Sequence, residues 1–403
     1  MKTNMQHTAL FGYGITTKPL AQYFENVVFY DDAAQESYTD EHGFLIQPSS
    51  MFEPQHSTLQ IPSPGIPPHH PLIQKASHLI SEYDFFANTQ PFKIWISGTN
   101  GKTTTTQMMH HLLKNKGAVA GGNIGTPLAL LDTDAPIWIL ETSSFTLHYT
   151  NKAVPNIYVL LPLSPDHLSW HGSMQEYIDA KLKPLSMMRS NSVAIIPKAY
   201  ENTQTDAQLI TYDGVEDLAQ YFEIDTQRVK FKGAFLLDAL LALGVYDLLS
   251  GTIDYDAINS FTLDPHRQEE LYDTQGRLWV NDTKATNLDA TKAAVARYKD
   301  KFIHLILGGD DKGVDLSELF EFLQSKNLRI YAIGSNKNKL EKLSQKYNIA
   351  CCVCTDLQDA IQQINTQHTQ EDVALLSPAA ASLDEFSSYA QRGELFKKGV
   401  EQL

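Results

Sequence analysis

Hydrophobic positions along the chain fall into short β-like runs, separated by segments where apolar residues return at helical spacing. The first run, Thr8-Ala9-Leu10-Phe11, leads into Gly12-Tyr13-Gly14. A helical pattern through Leu20 and Phe24 follows, then a strand from Val27 to Tyr30 that ends at Asp31. This order predicts a βαβ start. The segment Ile61-Pro62-Ser63-Pro64-Gly65-Ile66-Pro67-Pro68 reads as an ordered loop, because prolines this dense extend neither a sheet nor a helix. A helix over Pro71 to Phe86 closes this stretch, and a boundary near Gln90 follows.

A second stretch repeats strands with polar residues at their carboxyl ends: Phe92 to Ile96, Pro136 to Leu140, and Asn156 to Leu161. In doubly wound α/β folds ligands collect at those ends. After Pro265 a third stretch alternates strand and helix, with strands at Leu278 to Val280, Ile303 to Leu307, Arg329 to Ile333, Ala350 to Val353, and Val373 to Leu376. The expected organisation is α/β throughout, in domains 1–90, 91–263 and 264–403, with no tandem repeat.

Composition changes the picture little and charge changes it more. With 42% hydrophobic and 20% charged residues, the 403-residue chain is of ordinary globular type. A net charge of -15 opposes general binding to nucleic acid or to acidic membranes. No apolar run reaches the ~20 residues of a membrane span, and Met1-Lys2-Thr3-Asn4 opens no signal-peptide core. The expectation is a cytoplasmic monomer without membrane insertion. Cys351, Cys352 and Cys354 lack a second ligand pair at zinc spacing and read as buried strand cysteines.

The chemistry concentrates after the strand ending at Ile96. Ser97-Gly98-Thr99-Asn100-Gly101-Lys102-Thr103-Thr104 precedes a helix with Met108, Met109, Leu112 and Leu113 on one face and Gly117 as its stop. Glycines let backbone N–H groups approach phosphates, Lys102 adds a mobile cation, and a threonine hydroxyl can reach Mg²⁺. The strict phosphate-loop pattern asks for glycine where Ile96 stands, so the match is partial. Glu141 ends the next strand, where a carboxylate can hold Mg²⁺, and Asp166-His167 follows another. Ser173-x-x-Glu176 reads as a capping box, opening a helix with Tyr177 and Lys181 one turn apart. Further strand-end loops rich in donors and acceptors are Asp264 to Arg267, Asn281 to Asn287, Gly308 to Gly313, and Ser377 to Ser382.

Taken together, these segments resemble the Mur ligases of peptidoglycan synthesis, within them the branch that adds D-glutamate to UDP-N-acetylmuramoyl-L-alanine. The resemblance rests on Ser63-Pro64-Gly65-Ile66, Gly98 to Thr104, Gly122-Asn123-Ile124-Gly125, Glu141-Thr142-Ser143-Ser144-Phe145 and Asp166-His167. It continues through Pro265-His266-Arg267, Asp282 to Asn287, Gly308-Gly309-Asp310, and Ser377 to Phe386. It implies a Rossmann-like UDP-binding domain, a central P-loop ATPase-like domain with a parallel sheet, and a C-terminal Rossmann-like domain that closes over ATP and recruits the amino acid. ATP would phosphorylate the alanyl carboxylate, the amine of D-glutamate would attack the acyl phosphate, and phosphate would leave.

The resemblance also assigns roles. Gly98, Thr99, Asn100, Gly101, Lys102, Thr103 and Thr104 hold ATP, together with Arg267, Asp282 and Lys284, with Asp282 on the ribose. Thr103, Glu141, His167 and Lys181 are the metal side, Lys181 matching the lysine that family members carbamylate. Lys102, His167 and Lys181 are the catalytic set. Gly14, Ile15, Thr16, Asp31, Ser63, Pro64, Gly65, Asn123 and Ser143 serve the UDP substrate, and Thr286, Lys312, Ser382 and Tyr389 the D-glutamate.

Three departures stand out. Gly12-Tyr13-Gly14-Ile15-Thr16-Thr17 lacks the third glycine of a dinucleotide fingerprint, which weakens an NAD reading and suits a diphosphate loop. Gly233 to Asp238 lacks the family's usual His-Asn and further purine-contacting Asn, leaving Asp238 as the candidate for adenine. Tyr389 stands where phenylalanine is usual. Competing readings are a sibling such as folylpolyglutamate synthase, a non-catalytic nucleotide-binding homologue, and an NAD-dependent dehydrogenase.

Overall fold

The computed structural model describes residues 7–403 apart from residue 124, so Met1-Lys2-Thr3-Asn4 and Ile124 lie outside the described residues. Its contacts divide the chain into two compact units, Met1–Phe261 and Thr262–Leu403.

The first unit holds two sheets. One comprises β1 (Thr8–Phe11), β2 (Val27–Asp31), β3 (Tyr38–Thr39), β4 (Leu45–Pro48) and β5 (Leu59–Pro62) in the order β3-β4-β2-β1-β5, parallel except for β3. The other comprises β6 (Phe92–Ser97), β7 (Ala118–Gly122), β8 (Ile137–Glu141), β9 (Ile157–Leu160), β10 (Val193–Pro197) and β11 (Gln208–Tyr212). Its order is β11-β10-β9-β6-β8-β7, and every pairing is parallel. Ile94, Trp95 and Ile96 in β6 are fully buried, as expected for a parallel strand covered on both faces. One apolar cluster runs from Leu10 and Phe29 to Trp95 and Trp138. The expected boundary near Gln90 therefore falls between two sheets that share a core.

Two expectations change. The helix predicted over Pro71 to Phe86 is two short helices, Pro71–Lys75 and Glu82–Phe85. Between them the chain turns extended because Gln60 Oε1 accepts the N–H groups of Ser77 and His78, while the Gln60 carbonyl accepts Ile80 N–H. A buried glutamine outbids helix continuation here. The proline-rich loop also starts later than predicted, since Pro62 ends β5 opposite Phe11 at the sheet edge, where a missing N–H costs no ladder bond.

The second unit builds one sheet from β12 (Glu269–Tyr272), β13 (Leu278–Asn281), β14 (Ile303–Gly308), β15 (Leu328–Ile333), β16 (Cys351–Val353) and β17 (Val373–Leu376). The order is β12-β13-β17-β14-β15-β16, with only β12 antiparallel. Separate apolar clusters cover its two faces. Cys354 is buried, but Cys351 and Cys352 on the edge strand are only half-buried, a partial correction to the buried trio.

Candidate functional site

The loop after β6 is shaped by glycine. Gly98 has φ 144°, and a Cβ there would lie 2.5 Å from the Leu161 Cβ; Gly101 has φ 84°. A side chain at either place would force strain or collision. The helix Lys102–Leu113 starts at once, so its N-terminal N–H groups face the loop's concavity. Lys102 Nζ folds back onto the carbonyls of Gly98 (3.0 Å) and Thr99 (2.8 Å), across the mouth of that concavity. The Thr99 hydroxyl ties the loop to Ser164 and Tyr177 instead of facing outward. Thr104 is buried.

Asp238 corrects one expectation. It is buried on the helix Ala234–Ser250, accepts the Thr105 hydroxyl at 3.0 Å, and stands where a Cβ on Gly101 would come within 2.5 Å of its Oδ1. That geometry makes Asp238 a support beneath the phosphate loop rather than a base-reading group.

Three of the predicted residues meet at the end of β8. Glu141 accepts the Thr103 hydroxyl through one carboxylate oxygen (2.9 Å) and the Asn123 amide through the other (3.0 Å). A carboxylate and a hydroxyl beside a phosphate loop are the hard oxygen donors that Mg²⁺ prefers, completed by phosphate and water. The residues therefore fit the ion, although no cluster of three or more His, Cys, Asp or Glu side chains able to hold a metal occurs among the described residues. Ser143 caps the helix Ser144–Tyr149 by accepting Thr146 N–H, so it acts locally.

Lys181 is no surface lysine. The capping box at Ser173 forms as predicted, with Glu176 N–H on the serine hydroxyl at 3.2 Å, and the helix carries Tyr177 and Lys181 inward. Lys181 Nζ donates to Ser97 Oγ (3.1 Å) and to the Gly98 carbonyl (2.9 Å). Burial, then the nearby charge of Lys102, pulls its pKa well below the usual lysine range, against the opposing fields of Asp166 and Glu141. His167 begins the short helix Leu168–His171 with φ 53°, half-exposed beside Asp166 and against the Phe145 ring.

In the first sheet, Asp31 spends both oxygens on backbone: Oδ2 accepts Tyr13 N–H at 2.6 Å and Oδ1 accepts Ala33 N–H at 2.8 Å. It fixes the loop Gly12 to Thr16 in place. Thr17, where a dinucleotide loop has its third glycine, is buried and folds its hydroxyl onto the Gly12 carbonyl, filling the space that close helix–strand packing needs. Gly14 and Thr16 are half-buried and Ile15 is 82% exposed. Ser63 and Pro64 are half-buried and Gly65 is exposed at the adjacent strand end.

In the second unit the predicted residues sit at the ends of neighbouring strands β13, β17 and β14. Asp282 is buried, accepting Ser377 Oγ at 2.8 Å and Gln268 N–H at 3.2 Å; burial pushes its carboxyl up to about 7 against those bonds and the Arg267 field. Arg267 Nε is buried without a hydrogen-bond partner among the described residues. Asp310 pairs backbone to backbone with Ala381, and its carboxylate caps Lys312 N–H at 2.9 Å, so the loops bearing Lys312 and Ser382 are joined. Thr286 and Lys312 are exposed, Ser382 is buried, and Lys284 Nζ lies 5.7 Å from the Tyr389 ring centroid.

Sequence reasoning missed Arg392. It is wholly buried and donates to Thr283 Oγ1 (2.8 Å), the Thr283 carbonyl (3.0 Å) and the Ala380 carbonyl (3.2 Å), joining the loops after β13 and β17. The signal was present. Arg392, Phe396, Gly399 and Val400 share the buried face of the helix Tyr389–Glu401, so a cation stands on an apolar stripe.

The family model of the Mur ligase middle domain matches residues 96–236, and that of the Mur ligase glutamate ligase domain matches 266–380. The chain is 54% identical to the UDP-N-acetylmuramoylalanine–D-glutamate ligase of Campylobacter jejuni strain 81-176, over 98% of this chain and 99% of that one. It is 47% identical to the enzyme of the same name from Helicobacter pylori strain 26695, over 97% and 99%. Among solved structures, a Thermotoga maritima MurF ligase in complex with ADP shares the fold, with TM-score 0.59 and 17% identity over 94% of this chain and 95% of that one.

Proposed function

The chain belongs to the Mur ligase family, and on that premise we propose how its residues join D-glutamate to UDP-N-acetylmuramoyl-L-alanine at the expense of ATP. It is an ADP-forming acid–amino-acid ligase of peptidoglycan precursor synthesis. The observation that carries the residue-level reading is the convergence of Lys102, Thr103, Asn123 and Glu141 on one phosphate loop.

A carboxylate resists attack by an amine until one of its oxygens becomes a leaving group, and transfer of the γ-phosphoryl group of ATP supplies that. Little covalent chemistry falls to the protein, so positioning and charge neutralisation carry the rate. Lys102 moves from its loop carbonyls onto the transferring phosphate. Thr103 and Glu141 would hold Mg²⁺, with His167 on the same side, and a bound ion would supply charge neutralisation for the phosphates. Asn123 orients Glu141 and meets the UDP substrate, whose diphosphate lies by Gly14 to Thr16 and by Ser63 to Gly65. Lys181, whose hold on its proton is weakened by burial, would attack CO₂ as the free amine, the nitrogen giving up a further proton to solvent as the N–C bond forms, and the resulting carbamate would present an anion to the metal side.

Domains 1–90, 91–263 and 264–403 divide the work as substrate, ATP and amino-acid modules. Arg267, Asp282 and Lys284 serve ATP, while Thr286, Lys312, Ser382 and Tyr389 serve D-glutamate. The enzyme acts as a monomer in the cytoplasm, and no described helix is long and apolar enough to cross a membrane.

The test is phosphate release with ATP, Mg²⁺ and UDP-N-acetylmuramoyl-L-alanine across a panel of amino acids. D-Glutamate should stimulate release most. Stimulation by a different amino acid with none from D-glutamate would overturn the substrate assignment. Elution at 45.1 kDa in size exclusion checks the monomer.

A further inference from the structure

Of the four tryptophans, Trp95, Trp138 and Trp279 are fully buried and Trp170 is half-buried. Trp138 and Trp279 find indole partners close by in sequence, at Asp132 and Asp273. Trp170 does not. Its indole N–H crosses to the first sheet and donates to the Gly65 carbonyl at 3.0 Å. Its ring stacks on Phe145, with centroids 4.5 Å apart and planes at 29°. Phe145 stands in the helix that follows Glu141, and Tyr149 at the far end of that helix donates its hydroxyl to the Ile66 carbonyl at 2.6 Å. Two aromatic donors thus hold consecutive carbonyls of the loop Ser63 to Ile66. On its other side the loop is bonded to β1 by Ser63 N–H on the Phe11 carbonyl.

We propose that Trp170 is a positioning residue that ties the loop receiving the UDP substrate to the segment bearing His167, so that occupancy of the loop sets the metal-side residues. Trp170 is three residues beyond His167 in the same short helix, with its amide N–H on the His167 carbonyl at 3.0 Å. A rigid ring with few torsions transmits a shift of Gly65 to that helix at small entropic cost. The coupling rests on the substrate reading given above.

The decisive variant is Trp170→Phe, which keeps a ring on Phe145 and removes the donor. Losing one net hydrogen bond should raise KM for UDP-N-acetylmuramoyl-L-alanine about fivefold, lower kcat, and leave ATP binding and the melting temperature near wild type. Tyr149→Phe removes the companion donor, and the double variant should be non-additive with the two singles. Because the other tryptophans are sealed in the core, UDP substrate should change the emission of the wild type and leave that of Trp170→Phe unchanged. KM and kcat within twofold of wild type would overturn the proposal, as would a loss of ATP binding in step with the rest, which marks a merely structural ring. Absence of D-glutamate-dependent turnover in the wild type would instead defeat the functional reading, and the emission response to UDP substrate still decides the role of Trp170.

Discussion

Two buried cations, one in each compact unit, do the same mechanical job with different chemistry. Lys181 donates to Ser97 Oγ and the Gly98 carbonyl; Arg392 donates to Thr283 Oγ1 and the carbonyls of Thr283 and Ala380. Each therefore braces strand-end loops through neutral oxygens, and neither has a carboxylate in a salt bridge among the described residues. Burial weakens both charges. It takes the lysine well below its usual range but leaves the arginine pKa at about 10, so the guanidinium stays charged at neutral pH. Burial favours the neutral amine at the first site, whereas the second is a permanent charged brace. The comparison teaches that burial acts differently on the two cations, weakening the hold of a lysine under a phosphate loop on its proton far more than the charge of an arginine brace.

The largest effect should come from the third cation of the comparison, the more accessible Lys102. Lys102→Ala removes the only loop lysine that curls over the phosphate concavity. Turnover should fall about a thousandfold or more, on the scale of a lost transition-state donor, while nucleotide-free melting is little changed. A phosphate-release rate near wild type would remove Lys102 from the transferring phosphate.

Swapping the two buried cations sharpens the contrast. Lys181→Ala should lose about a hundredfold in kcat, and short carboxylic acids should restore part of it by replacing the carbamate. Lys181→Arg keeps the charge but cannot be carbamylated, and it should be equally slow and immune to rescue. If Lys181→Arg retains normal turnover, a positive brace is all that the position requires. The reverse exchange, Arg392→Lys, keeps a charge but offers one compact head where a fork spans two loops. The expected result is a KM for D-glutamate raised about tenfold and a melting temperature lowered by about 2–6 °C, with KM for the UDP substrate unchanged.

What the sequence made legible divides along the same line. The loop Gly98 to Thr103, the strand-end place of Glu141 and the capping box at Ser173 were readable because each is written in contiguous residues at a strand end or helix start. The buried state of Lys181 was not, since a lysine one turn from Tyr177 looks the same in sequence whether its helix face meets solvent or Ser97. Gln60 ended a predicted helix from a strand away, and Asp238 turned from adenine to Thr105. Both are long-range hydrogen bonds with no local pattern. Arg392 could have been found by taking the apolar stripe of its helix seriously, because a charge there must have partners.

The smallest effect concerns the acid that faces this problem with the opposite sign. Asp282 is buried like the two cations, and burial raises its carboxyl to about 7 while Ser377 and Gln268 oppose the shift. A folded pKa above the unfolded value of 3.8 means that the stabilising contribution is complete below 3.8 and is lost as pH rises through 7. Asp282→Asn mimics the protonated group at every pH. The variant and wild type should therefore melt together below pH 3.8, and the variant should melt higher at pH 8, with the gap opening as pH rises from 3.8 through 7. Activity should fall at pH 8, where the wild type presents a carboxylate as the proposed ribose acceptor, and change little at pH 5, where that carboxyl is protonated. A melting difference that is the same at pH 5 and pH 8 would show that Asp282 is already ionised in the folded protein, and that Ser377 and Gln268 outweigh its burial.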